Sequence, residues 1–108
     1  MSGTMSVLRF DKRTTIKISG YFDYNLLTQF QDVYKDETDD TVRGRCFIID
    51  LSGTRYIDSS ALGMLNILRT LIDIPGGNEG ASIEIVNTCP EIRKILETAN
   101  FDRIFKII

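Results

Sequence analysis

Residues 46 to 72 constrain this chain more than any other stretch. A short apolar run, Cys46-Phe-Ile-Ile-Asp-Leu51, is followed by a Ser-Gly pair, by Tyr56-Ile57, and by Asp58-Ser59-Ser60 at the head of a helical pattern. The run is nearly continuous, which suits a central strand covered on both faces, and the Ser-Gly pair reads as the turn that closes it. Asp58, Ser59 and Ser60 carry short oxygen-bearing side chains that accept hydrogen bonds from the orphan amides of a first helical turn, so a helix is expected to begin there. At about 100° per residue, Ala61, Met64, Leu65, Leu68, Leu71 and Ile72 share one side. Asn66, Arg69, Thr70 and Asp73 share the other, with Leu62 in their midst.

One step back on the same wheel, Ser59 joins Leu62, Gly63, Asn66 and Thr70 on the outward side. A hydroxyl at a helix tip, an outward leucine and a glycine without a side chain make a candidate docking face. Gly63 costs about 1 kcal/mol relative to alanine inside a helix, and close approach of another backbone would account for it. The same residues also fit a plain structural reading, a cap followed by an ordinary surface leucine.

At 108 residues the chain is read as one domain, 1–108, large enough for a single core without covalent staples. Cys46 and Cys89 form neither a CxxC pair nor a metal-ligand spacing, so reduced thiols are expected. A net charge of -2 and scattered basic residues give no basic stripe for nucleic acid or an anionic membrane. No apolar run is long enough for a membrane helix and the start lacks a secretory pattern, so a soluble cytoplasmic protein is expected.

In chain order, residues 5–10 and 14–19 are short and rich in β-formers, joined by Asp11-Lys12-Arg13, and predict a hairpin at a sheet edge. Gly20 is expected to end the second strand. Asp23 or Asn25 then caps a helix whose Leu26, Leu27, Phe30, Val33 and Tyr34 recur at core spacing. The acidic run Asp36, Glu37, Asp39 and Asp40 reads as a solvated connection without the residue ladder of a calcium loop. After the central strand and helix, residues 75–80 form a glycine-rich turn that lacks the Gly-Lys-Ser/Thr of a phosphate-binding loop. Residues 82–86 predict a strand. Thr88-Cys89-Pro90-Glu91 predicts a capping box, with Ile92, Ile95, Leu96 and Ala99 on the buried side of the helix it opens. Asn100 should stop that helix, and residues 104–108 predict a last strand. The order β-β-α-β-α-β-α-β implies a mixed, largely parallel sheet of about five strands.

The chain contains no histidine, which removes Ser-His-Asp and Cys-His mechanisms and histidine-containing zinc sites. The periodic residues are already committed to the core, so no catalytic residue, metal site or cofactor is assigned, and binding ranks above catalysis.

Gly20-Tyr-Phe-Asp23, Ile49-Asp50-Leu51-Ser52, Ile57-Asp58-Ser59-Ser60-Ala61-Leu62-Gly63, Ile85-Val86-Asn87 and Ile104-Phe-Lys-Ile107 together resemble the STAS domain family over nearly the whole chain. Asp-Ser-Ser-x-Leu-Gly is the most specific segment. The single-domain members it resembles are anti-sigma factor antagonists. Such proteins bind an anti-sigma factor that is also a serine kinase, and they are switched off when that kinase phosphorylates the serine after the aspartate.

By position that serine is Ser59, and the resemblance implies a PP2C-type phosphatase as the reactivating enzyme. The docking face read from the wheel then becomes an expected partner-binding surface of Asp23, Asp58, Ser59, Ser60, Leu62, Gly63, Asn66 and Arg69. The antagonists usually carry glycine where this chain has Ala61, and usually continue into a further helix after the last strand. Without that helix, part of a sheet face is expected to stay open to self-association or a partner. Two other functions are compatible with such a domain: a cytosolic accessory subunit of a membrane transporter, and a nucleotide-binding module using the glycine loop and the helix tip.

Overall fold

A computed structural model of the chain describes residues 3–36, 46–73 and 82–108. Five strands, β1 Thr4–Phe10, β2 Arg13–Phe22, β3 Cys46–Ile57, β4 Ser82–Val86 and β5 Lys106–Ile107, form one sheet in the order β1-β2-β3-β4-β5. β1 pairs antiparallel with β2, and every other pairing is parallel. Three helices, α1 Leu27–Asp36, α2 Ser59–Asp73 and α3 Pro90–Thr98, alternate with the strands as expected. The expected glycine turn at 75–80 and most of the acidic connection lie outside the described residues.

The core forms on one face of the sheet. Ile16, Ile18 and Phe22 of β2, Phe47, Ile49 and Leu51 of β3, and Ile83 and Ile85 of β4 are buried there. They meet Phe30 and Val33 of α1, Ala61, Met64, Leu65 and Leu68 of α2, and Ile92 and Leu96 of α3. The opposite face carries Thr15, Lys17, Ile48, Asp50, Glu84 and Lys106, half-buried or exposed. Among the described residues β3 is therefore covered on one face, not two. An apolar side chain in a central strand is half sheltered by its neighbours in the sheet, so Ile48 is tolerated without a covering layer.

Two expected stops are continuations. β2 runs through Gly20, which takes a left-handed φ of 79° at a register shift, and carries Phe22 into the core. β3 likewise passes through Ser52-Gly53 without turning. From Lys17 to Ser19 the partner strand advances from Asp50 to Gly53, and from Gly20 to Tyr21 it advances from Thr54 to Tyr56, so β3 takes one extra residue at each shift. A β-carbon on Gly53 would lie 2.5 Å from the Ser19 hydroxyl oxygen, so any larger residue at the first shift would have to displace the Ser19 side chain. Thr54 then turns inward, and its buried hydroxyl donates to the Ile18 carbonyl at 2.7 Å.

Smaller differences follow from neighbours. Asp23 caps a 3-10 turn, Tyr24–Leu26, that precedes α1. Leu27 is exposed at the start of α1 while Leu26 is buried, because the tighter turn rotates the stripe by part of a step. The N-cap of α3 is Cys89 and not Thr88, and it makes no side-chain cap bond; Pro90 occupies the first turn as expected. Ile95 of α3 is exposed. Asn100 adopts a left-handed φ of 62° and ends α3. A second 3-10 turn, Phe101–Arg103, shortens the last strand to Lys106–Ile107.

Candidate functional site

β2 and β3 finish side by side, Phe22 opposite Ile57, and the Asp58 amide donates to the Phe22 carbonyl at 3.4 Å. The residues that follow the two strands, Asp23 and Asp58, therefore leave the same end of the sheet. Each is the cap of the turn it opens. The Asp23 carboxylate accepts from the Asn25 amide at 3.0 Å. The Asp58 carboxylate accepts from the Ala61 amide at 2.9 Å, and its carbonyl accepts from the Leu62 amide at 3.2 Å.

With Asp58 filling the cap, Ser59 and Ser60 stand in the first turn of α2 with exposed side chains. Gly63, one turn further, is exposed, and a β-carbon there would meet nothing within 4 Å. Packing among the described residues gives no reason for glycine at that position. Asn66 is exposed below it, and Arg69 is half-buried. Asp23, Asp58, Ser59 and Ser60 thus gather at one end of the sheet, and Leu62, Gly63, Asn66 and Arg69 continue from them along α2.

Leu62 differs from its expected place. It is half-buried, packed against the core, and faces α3 across a shallow groove of about 480 Å³ lined also by Glu91, Lys94, Ile95, Thr98 and Ala99. The spacing of Ile95 and Ala99 predicts core positions, but a helical wheel cannot separate a core position from the wall of an interhelical groove. Tyr24 and Tyr56 are also exposed, the first directly after Asp23 and the second two residues before Asp58. Their closeness to the aspartates was visible in the sequence.

On the open face, Asp50 ties β3 to the end of β4. Its carboxylate accepts from the Ser52 amide at 2.9 Å and from the Asn87 side-chain amide at 3.2 Å, and Lys17 lies beside it in register. Partial burial pushes the Asp50 carboxyl up, but the hydrogen bonds from Ser52 and Asn87, with the Lys17 charge, outweigh it and hold the group below its ordinary range. At the start of α3, the Glu91 carboxyl is also lowered, first by its own backbone amide and then by the Cys89 side chain. Among the described residues no group of acidic, cysteine or histidine side chains is placed to hold a metal ion, and no helix is long and apolar enough to cross a membrane.

Comparison with known proteins bears on the family and the fold. The family model for the STAS domain matches residues 5–108. A STAS-domain containing protein of Pseudomonas aeruginosa is 44% identical over 93 residues, covering 86% of this chain and 85% of the relative. Among solved structures, an anti-sigma factor antagonist from Mycobacterium paratuberculosis matches with a TM-score of 0.72 at 20% identity, over 98% of this chain and 85% of that one. The unphosphorylated form of SpoIIAA, an anti-sigma factor antagonist of Bacillus, matches with a TM-score of 0.75 at 17% identity, over 97% of this chain and 88% of that one. At these identities the structural likeness speaks for the fold.

Proposed function

The chain belongs to the STAS domain family, and from that premise we propose that it is a non-enzymatic, cytoplasmic anti-sigma factor antagonist. In this reading it binds an anti-sigma factor that is also a serine kinase, and phosphorylation of Ser59 by that kinase ends the binding. A PP2C-type phosphatase restores it. The observation that carries the reading is the exposed hydroxyl of Ser59, set in the first turn of α2 directly after an aspartate that already fills the cap.

The physics of that position suits a switch. Unmodified, the serine is a small neutral group that a partner covers at little cost. A phosphate adds a charge of about -1.5 to -2. The end of the helix favours an anion, but the Asp58 carboxylate already takes the Ala61 amide and repels a second negative group. Burying the new charge unpaired in an interface costs several kcal/mol, which weakens binding by about a hundredfold or more. Asp23, Ser60, Gly63 and Asn66 supply the surrounding contact surface, and Leu62 and Arg69 its half-buried margin.

The test is intact mass of the protein taken from its own host in growth and in stress, followed by mapping of the tryptic peptide Tyr56–Arg69. A phosphate on Ser59 whose occupancy changes with condition is expected. A peptide unmodified in every condition overturns the switch and favours a constitutive accessory subunit.

A further inference from the structure

The two edges of the sheet are built differently. β5 has two residues, and Lys106 beside Glu84, at 3.5 Å, adds charge there. Shortness and charge protect a sheet edge against pairing with another chain. β1 has seven residues, Thr-Met-Ser-Val-Leu-Arg-Phe, with no proline and one charge, and it pairs with β2 without a register shift. Among the described residues no strand lies on its outer side.

Apolar side chains are left uncovered on both faces of this edge. On the open face Leu8 is 69% exposed and Phe10 79% exposed. On the helix face Met5 and Val7 pack against the core but remain only half-buried. A row of outward backbone donors and acceptors flanked by such side chains calls for another β-strand, because only a strand meets the hydrogen-bonding groups and covers both faces together.

We propose that β1 is a self-association edge, at which a second copy of this chain adds its own β1 antiparallel across a two-fold axis. The sequence of the strand is self-complementary in that arrangement. Centring the axis on Val7 uses the whole strand: Val7 meets Val7 of the copy, Ser6 meets Leu8, Met5 meets Arg9, and Thr4 meets Phe10. No like charges fall opposite one another, and a β-branched pair sits at the centre. An axis of this kind stands perpendicular to the sheet, so one ten-stranded sheet results, with the helices of both copies on the same side. The two Ser59 tips then point to opposite ends, and neither is covered. The proposal does not rest on the function proposed for Ser59.

The test is sedimentation of the full chain over a dilution series, for the wild type and for the double variant Leu8→Lys, Phe10→Lys. Both side chains are exposed, so the variant keeps the fold, and circular dichroism checks this. The wild type is expected to be a dimer that dissociates on dilution, and the variant to raise the dissociation constant by about a hundredfold or more. In parallel, amide exchange of residues 4–10 in the wild type should slow as concentration rises. A wild type that stays monomeric at every concentration overturns the proposal. So does a dimer indifferent to the two lysines, or one whose β1 amides exchange at the same rate at all concentrations, since either places the interface elsewhere.

Discussion

α2 and α3 begin at equivalent places in the topology, each directly after a parallel strand, yet their first turns use different chemistry. α2 is capped by the part-buried Asp58, which leaves two serine hydroxyls in solvent. α3 is entered through Cys89 with no side-chain cap bond, takes Pro90 in its first turn, and sets the Glu91 carboxylate against its own amides. A helix start that answers its amides with an acidic side chain and a proline has no hydroxyl to modify. One whose side-chain cap stands before the first turn keeps hydroxyls free for other use, and of these two helices only α2 does so.

The largest effect that tests this contrast is on binding. If the proposed function holds, Ser59→Asp is expected to weaken the complex with the proposed anti-sigma partner by about a hundredfold in a calorimetric titration. Cys89→Asp, the same charge at the α3 entrance, should leave that affinity unchanged. Equal losses from both would erase the distinction between the two starts.

Next in size are the caps themselves. Asp58→Ala removes the acceptor for the Ala61 amide and should cost about 1 kcal/mol in urea unfolding. Cys89→Ser works in the opposite sense, because the extended backbone of Cys89, φ -73° and ψ 162°, suits a side-chain cap that sulfur does not supply. A gain of about 0.5 kcal/mol is expected from the same unfolding experiment.

The smallest effect concerns pH. Glu91 is lowered in the folded chain, so its ionised form adds stability above the unfolded glutamate value of about 4.3. That contribution is lost as pH falls through the lower, folded value. The difference between the wild type and Glu91→Gln should therefore be present at neutral pH, shrink on acidification, and vanish in strong acid. A difference that persists there would assign the effect to something other than charge.

Much of the fold was legible because its signals are local. Apolar spacing, the charged turn at Asp11-Lys12 and left-handed Asn100 each act within a few residues, and the order of strands and helices follows from them. What could not be read depended on partners distant in sequence. Gly20 and Ser52-Gly53 look like stops in isolation, but across the β2 and β3 pair they absorb extra residues and let both strands continue. Ile95 and Leu62 look like opposite cases, one core and one surface, until their helices are set side by side and both line a groove. For the candidate site, Asp58 and Ser59 were readable as a cap and a tip. That Asp23 leaves the same end of the sheet is a matter of strand pairing.

β3 outlasts β4. Its pairing with β4 ends at Asp50 opposite Val86, and from there to Ile57 its ladder among the described residues is with β2 alone. The segment that delivers Ser59 is thus carried on a two-stranded ribbon with two bulges, where local opening costs less than in the middle of the sheet. The proposed Ser59 switch thus sits at the end of a segment whose local stability is set in part by β2 and β3 residues distant from the serine itself.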